Sequence, residues 1–269
     1  VGTYLRLSSP GCACDDGING MALKSKRMSV YSTILSHHQQ SFPLLAILID
    51  PDKEEAYLPL LPQLHQVDLV FVGGSTGNSI EPCITKLRAH TNAPLVIFPG
   101  NIAQFSPMAD ALLFLTLLNA RTADMLIEPH VHMAMPILNS GIEAIPMGYI
   151  LIDGGRKSSV EIVSKCAPIP QNEVDKIVST AVAGQLLGKQ LIYLEAGSGA
   201  KTPVSSDIIC AVRAQLQLPL IVGGGICTPE AMLLAFEAGA DIVVIGNHFE
   251  QNPDEMGDFV RIKRERYGE

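Results

Sequence analysis

Hydrophobic and polar positions fall in blocks along this chain. From Leu44 onward, short runs of Val, Ile and Leu recur: Leu44–Ile49, Leu69–Val72, Leu95–Phe98, Ala111–Leu117, Met147–Ile152, Ile192–Leu194, Leu220–Val222 and Ile242–Ile245. Unbroken apolar runs of this length, with no polar residue at every second position, predict strands buried on both faces. Between them lie amphipathic stretches, which predict helices near Glu54–Gln66, Ile80–Ala89, Ala120–Met135, Asn172–Leu187 and Thr228–Ala238, and from His248 onward. Strand and helix in alternation imply parallel strands joined by right-handed crossovers. Eight such units predict a closed (β/α)8 TIM barrel, with a doubly wound open sheet as the runner-up.

Two connections break the rhythm. Only Asn101–Asp110 separates the third and fourth runs, and Pro107 lies within it. A crossover with its helix needs about a dozen residues, so the third helix is expected to be replaced by an extended or irregular segment. The long Asn119–Ile145 connection has room for a helix and an extra loop.

Composition narrows the class. At 269 residues, 47% hydrophobic and 17% charged, the chain suits one large globular domain. Residues 28–269 are read as a single barrel domain. Residues 1–27 show no periodicity and read as a disordered or non-native extension. A net charge of -8 argues against nucleic acid, which needs clustered Lys and Arg. It leaves room for small phosphorylated ligands held by backbone amides. No apolar run approaches the roughly 20 residues that span a bilayer. Six scattered cysteines with no Cys-x-x-Cys pair fit reduced thiols and a cytoplasmic location.

Candidate chemistry sits where the strands end, the functional face of such barrels. The ends carry Asp50, Ser75, Pro99-Gly100-Asn101, Thr116, Asp153, Glu195, Gly223–Gly225 and Gly246-Asn247. Adjacent glycine-rich ends at Gly224-Gly225 and Gly246-Asn247, with Gly197 and Gly199 in the preceding unit, favour a phosphate site over mere tight turns. Asp50, in Asp50-Pro-Asp-Lys53, suits a hard cation such as Mg²⁺, with the Ser75 hydroxyl in reach. It equally suits a helix cap. Glu195 follows an apolar strand and precedes flexible glycines, which fits a general base on a ligand hydroxyl. Tyr193 shares its side of the strand and either binds ligand or fills the barrel. His37-His38 reads as a solvated helix end, and His130 and His132 do not face one site. No nucleophile elbow or P-loop is present in the sequence.

At these strand ends the chain resembles the geranylgeranylglyceryl phosphate synthases and their heptaprenyl relatives. The matching stretches are Ile49-Asp-Pro-Asp-Lys53, Val72-Gly-Gly-Ser-Thr76, Tyr193-Leu-Glu-Ala-Gly-Ser-Gly-Ala200, Val222-Gly-Gly-Gly-Ile226 and Val244-Ile-Gly-Asn247. The Tyr193–Ala200 motif is the specific one. Leu48, where the family's other group has lysine, marks the second group, found in archaea and some bacteria. The resemblance implies a barrel lacking its third helix, and an enzyme that joins sn-glycerol 1-phosphate to a prenyl diphosphate through an ether bond. It implies Mg²⁺ on Asp50 and Ser75. It places the glycerol phosphate on Tyr193, Leu194, Glu195, Ala196, Gly197, Ser198 and Gly199, with its phosphate on Gly224, Gly225, Gly246 and Asn247. It also implies ether-lipid synthesis, a homo-oligomer and peripheral membrane contact. A groove for the prenyl tail is expected near Asn101–Ala109. Competing readings are a phosphosugar isomerase or thiamin-phosphate-type barrel, and a non-catalytic phosphate-binding barrel. The first needs a paired acid and base where only Glu195 stands out, and the second has no use for Asp50 and Glu195.

Overall fold

A computed structural model describes residues 29–74, 79–101 and 104–268. The reading of residues 1–27 and the Ser75 assignment therefore lie outside the described residues. Eight parallel strands close into a barrel in sequence order: β1 Leu44–Ile49, β2 Leu69–Val72, β3 Leu95–Ile97, β4 Ala111–Leu117, β5 Glu143–Leu151, β6 Leu191–Glu195, β7 Leu220–Gly223 and β8 Ile242–Ile245. Closure runs through β1 against β8, with Leu44 opposite Ile242 and Ile47 opposite Ile245.

Apart from Thr116, Glu143 and Glu195, the strands are built of apolar residues and glycine because both faces are buried along most of their length. One parity, including Leu45, Ile47, Ile49, Val70 and Val72, packs outward under the helices. The other, including Ala46, Phe71, Leu113, Met147, Tyr149 and Tyr193, fills the barrel interior. Asp50 and Glu195 continue the inward parity past the last apolar residue of β1 and β6, so their position at the barrel mouth follows from the pleat.

The helices are α1 Val30–Gln39, α2 Glu54–Tyr57, α3 Glu81–Arg88, α4 Ala123–Leu126, α5 Glu128–Ser140, α6 Ser159–Ser164, α7 Val174–Leu186, α8 Ser206–Arg213, α9 Pro229–Glu237, α10 Asn247–Gln251 and α11 Met256–Tyr267. α1 contributes Val30 and Ile34 to the interior cluster. Its first amides donate to Glu143 at the start of β5, Val30 N at 2.7 Å and Tyr31 N at 3.1 Å. Negative charge at a helix N-terminus satisfies its orphan donors and its dipole.

Acidic residues also pin strand starts at the barrel's other end. Asp68 accepts from Leu45 N at 2.6 Å and Lys263 Nζ at 2.7 Å. Asp241 accepts from Leu220 N at 2.7 Å, Arg213 Nη1 at 3.0 Å and His38 Nδ1 at 2.7 Å. His37 and His38 are thus half-buried, with His38 tied to the β8 side.

No helix occurs among the described residues between β3 and β4, as the short connection predicts. Three other expectations need correction. The Glu54–Gln66 helix is α2 followed by a 3-10 segment over Leu58–Gln66. Pro59 and Pro62 remove amide donors that an α-helix there would use. The single helix predicted over Ala120–Met135 is α4 and α5, broken at Ile127 and restarted with Pro129 in the first turn of α5. β5 starts four residues earlier than its apolar run, because β4 pairs with it as far back as Ala111 with Glu143. No helix of the described residues is long and apolar enough to cross a membrane.

Candidate active site

The barrel mouth opens into a cavity of about 690 Å³ with two chemically distinct ends. One is polar and rich in backbone: Asp50, Gly74, Glu195, Ser198, Gly199, Gly224, Gly225, Gly246 and Asn247 all line it. The other is apolar, lined by Leu112, Phe114, Met125, Met133, Val160 and Val163. Leu112 and Phe114 have the outward parity of β4. The cavity therefore leaves the barrel interior and runs beneath α4 and α5, beside the connection that lacks a helix.

Glu195 is 8% exposed. Its Oε1 accepts from Gly197 N at 2.8 Å, and the Tyr193 hydroxyl also donates to the carboxylate. Burial raises its pKa above the ordinary carboxylate value, and these two hydrogen bonds pull against that rise. Tyr193 is buried against Phe98 and Tyr149, with ring centroids at 5.6 and 5.3 Å. Burial first, and then the neighbouring Glu195, push the Tyr193 phenol well above its usual value, so it stays a donor. Glycine is required around this pair. A Cβ on Gly223 would collide with the Tyr193 hydroxyl. One on Gly224, whose φ is +84°, would sit 2.5 Å from Glu195 Oε1 and 2.7 Å from Gly197 N.

Asp50 is half-buried at the end of β1. Its Oδ1 caps the turn through Asp52 N at 3.1 Å, and Lys53 Nζ lies 3.7 Å from Oδ2. Lys53 is drawn more tightly to Glu250, at 2.8 Å. Gly74 lies flush against the carboxylate, where a Cβ would sit 2.5 Å from Asp50 Oδ1. Gln104, fully buried, holds this wall, accepting from Gly100 N at 2.8 Å and donating to Gly74 O at 2.8 Å. Among the described residues no group of three or more His, Cys, Asp and Glu side chains is placed to hold a metal. A carboxylate with a bare glycine on one side and the Lys53 ammonium 3.7 Å away on the other suits a hard cation that draws its remaining ligands from water and phosphate, with Lys53 held off by Glu250.

The structure thus brings together Asp50, Tyr193, Glu195, Ser198, Gly199, Gly224, Gly225, Gly246 and Asn247. Gly197, with φ +100°, stands behind them as the donor to Glu195. Pro99, Gly100 and Asn101 also line the cavity, whereas Leu194, Ala196, Thr116 and Asp153 do not. Leu194 and Ala196 have the outward parity and lie in the layer between barrel and helices. Thr116 also points outward, with Lys189 Nζ at 2.6 Å and His130 Nε2 at 3.1 Å. Asp153 is exposed and caps its own turn through Gly155 N at 2.8 Å. Of the stretch expected to leave a groove, Asn101 lines the cavity while Ala109 packs into the outer core, and the apolar part of the cavity lies under α4 and α5. Sequence reasoning missed Gln104, the Lys53–Glu250 pair, Phe98, Tyr149 and the α4–α5 lining. All depend on how loops and outward-facing residues meet in space. Only Phe98 had a local signal, its position at the third strand end.

Comparison with known proteins follows the same lines. The sequence profile of the PcrB family matches residues 43–263. A geranylgeranylglyceryl phosphate synthase of Zunongwangia profunda is 48% identical over 212 residues, covering 77% of this chain and 91% of that protein. One of Korarchaeum cryptofilum is 38% identical over 226 residues, covering 82% and 93%. The crystal structure of (S)-3-O-geranylgeranylglyceryl phosphate synthase from Thermoplasma acidophilum, in complex with its substrate sn-glycerol-1-phosphate, superposes with a TM-score of 0.81. It is 32% identical, over 90% of this chain and 99% of that one.

Proposed function

The chain belongs to the PcrB family, and from that premise we propose that it is a prenyltransferase joining sn-glycerol 1-phosphate to a geranylgeranyl or similar diphosphate in ether-lipid biosynthesis. The observation that carries this reading is a cavity that joins an amide-rich polar end, a buried carboxylate and an apolar channel. A small phosphate ester suits the first, a hydroxyl the second and a prenyl tail the third.

In this reading the glycines of the β6, β7 and β8 loops, with Asn247, hold the phosphate. Glu195 accepts the proton of the glycerol C3 hydroxyl as its oxygen attacks C1 of the prenyl chain. The C1–O bond to diphosphate breaks as the ether bond forms, and diphosphate leaves. Tyr193 orients the carboxylate. Phe98 and Tyr149 present aromatic surface to the electron-deficient carbon, and the apolar channel keeps water from capturing it. Asp50, with Ser75, would hold Mg²⁺. That ion, when bound, neutralises the leaving diphosphate. Placing two substrates side by side supplies a further part of the rate.

Self-association, peripheral contact with the membrane that receives the product, and a cytoplasmic location belong to the same proposal. Cys83, Cys166, Cys210 and Cys227 are free thiols, which supports a reducing compartment. The test incubates the purified protein with Mg²⁺, labelled sn-glycerol 1-phosphate and prenyl diphosphates of graded length. Label extractable into butanol is expected, and its loss with EDTA would support the metal. Label that stays in water at every length, with folded protein, would overturn the prenyltransferase reading.

A further inference from the structure

The β5–α6 loop carries a cation that the site described so far does not use. Its two flanks are pinned onto the β6 loop. On one side, Gly154 O accepts from Lys201 N at 2.9 Å and Thr202 N at 3.2 Å. Gly154 lies so close to that loop that a Cβ on it would sit 2.5 Å from Ala200 Cβ. On the other side, Ser158 is buried and caps α6 by accepting from Glu161 N at 3.1 Å. A Cβ on Gly197 would lie 2.7 Å from Ser158 Cβ. Both ends of Gly154–Ser158 are thereby fixed against residues 196–202.

Arg156 lies between these anchors and reaches across Gly199. From the position a Cβ would take on Gly199, Arg156 Nη1 is 3.3 Å away and Asn247 Nδ2 is 3.7 Å away. No carboxylate among the described residues pairs with this guanidinium. Two side-chain donors, one permanently cationic, thus converge on a glycine of positive φ at the polar end of the cavity. A guanidinium presents a planar fork that matches phosphate oxygens. The same end of the cavity holds Glu195, and a phosphate ester brought beside a carboxylate needs positive charge to offset the repulsion.

We propose that Arg156 closes the phosphate subsite from the β5 side and pairs with the phosphate of the glycerol phosphate substrate. This rests on the reading that the polar end of the cavity takes that substrate. Arg156 acts in binding and has no part in the proton transfer. Its effect falls on one substrate and spares the other.

The experiment compares the full chain with Arg156→Ala, Arg156→Lys and Arg156→Gln. Steady-state kinetics are measured with each substrate varied in turn. Calorimetric titration with sn-glycerol 1-phosphate alone runs in parallel. Loss of a charged hydrogen-bonding partner predicts a rise of about 10- to 100-fold in KM and Kd for glycerol phosphate in Arg156→Ala. KM for the prenyl diphosphate should stay within about twofold, with Arg156→Lys recovering part of the loss. Unchanged glycerol phosphate affinity would overturn the proposal, as would an equal rise for both substrates. Should Arg156→Ala fold poorly, Arg156→Gln, which keeps length and polarity without charge, gives the same discrimination. A wild-type protein that binds glycerol phosphate but transfers no prenyl group would fail the function reading alone. The calorimetric comparison would still decide the role of Arg156.

Discussion

Glu195 shows how a single residue links stability to activity. A carboxyl group whose folded pKa lies above its unfolded value of about 4.3 binds its proton more tightly in the native state. Its contribution to stability is complete below the unfolded pKa and is lost as pH rises through the folded value. At neutral pH the ionised carboxylate is therefore a net burden on the fold, one that the proposed role as proton acceptor would account for. Glu195→Gln keeps an oxygen for the Gly197 amide and removes the charge. Chemical denaturation should find the variant more stable than wild type near neutrality, with the difference closing below about pH 4. Its kcat should fall by about 10²- to 10⁴-fold, the range for losing a general base. Tyr193→Phe removes one of the two hydrogen bonds that lower the Glu195 pKa, so the acid limb of kcat/KM should move to higher pH. A limb that stays in place would show that Tyr193 only fills the barrel. A stability difference independent of pH would show that Glu195 is not the titrating burden.

At the scale of elements, the apolar channel turns on α4 and α5 lying over β4 where a neighbouring helix is missing. Met133, half-buried on α5, faces this channel. Met133→Trp should narrow it and lower kcat/KM for geranylgeranyl diphosphate at least tenfold relative to farnesyl diphosphate. Each buried methylene contributes about 0.8 kcal/mol, so excluding even part of one isoprene unit suffices. An unchanged ratio would place the tail elsewhere. The strands that frame this channel were legible because residues buried on both faces must be apolar, which leaves an unbroken run in the sequence. Asp50 and Glu195 were legible for a related reason: each interrupts such a run at its mouth end. Gln104 and Arg156 left no such trace, because a loop residue gains its meaning from the loop it meets. The α4–α5 break does leave a trace in Glu128-Pro129, set between apolar residues that read as one helix, and β5 looked short because Glu143 and Pro146 dilute its start. The outward turn of Leu194 and Ala196 follows from strand parity alone. It separates them from Tyr193 and Glu195 within one motif.

For the whole molecule, the question is what covers the outer face of α5. The apolar stretch around Met133–Ile137 divides in the structure, with Met133 facing the channel and Ile137 buried. A different set faces outward: Ile127, Val131, Met135 and Leu138, between 56% and 71% exposed. They recur at helical spacing along one side of α5, beginning at its N-cap Ile127. Scattered apolar residues on a surface need no account, but an aligned stripe marks a surface that meets something. A second copy of the chain, burying the same stripe on both sides of a two-fold axis, would satisfy it without any new segment. Sedimentation of the wild-type protein should then give a dimer or larger species. Val131→Glu with Leu138→Glu should shift it toward monomer, since each copy would bring like charges into an apolar contact. Neither residue lines the channel or its polar end, so glycerol phosphate binding should persist in the monomer. A wild type that sediments as a monomer at all concentrations would remove the second copy as the partner. The stripe would then be the side of the molecule to test against lipid vesicles, which the proposed prenyl substrate and lipid product would favour.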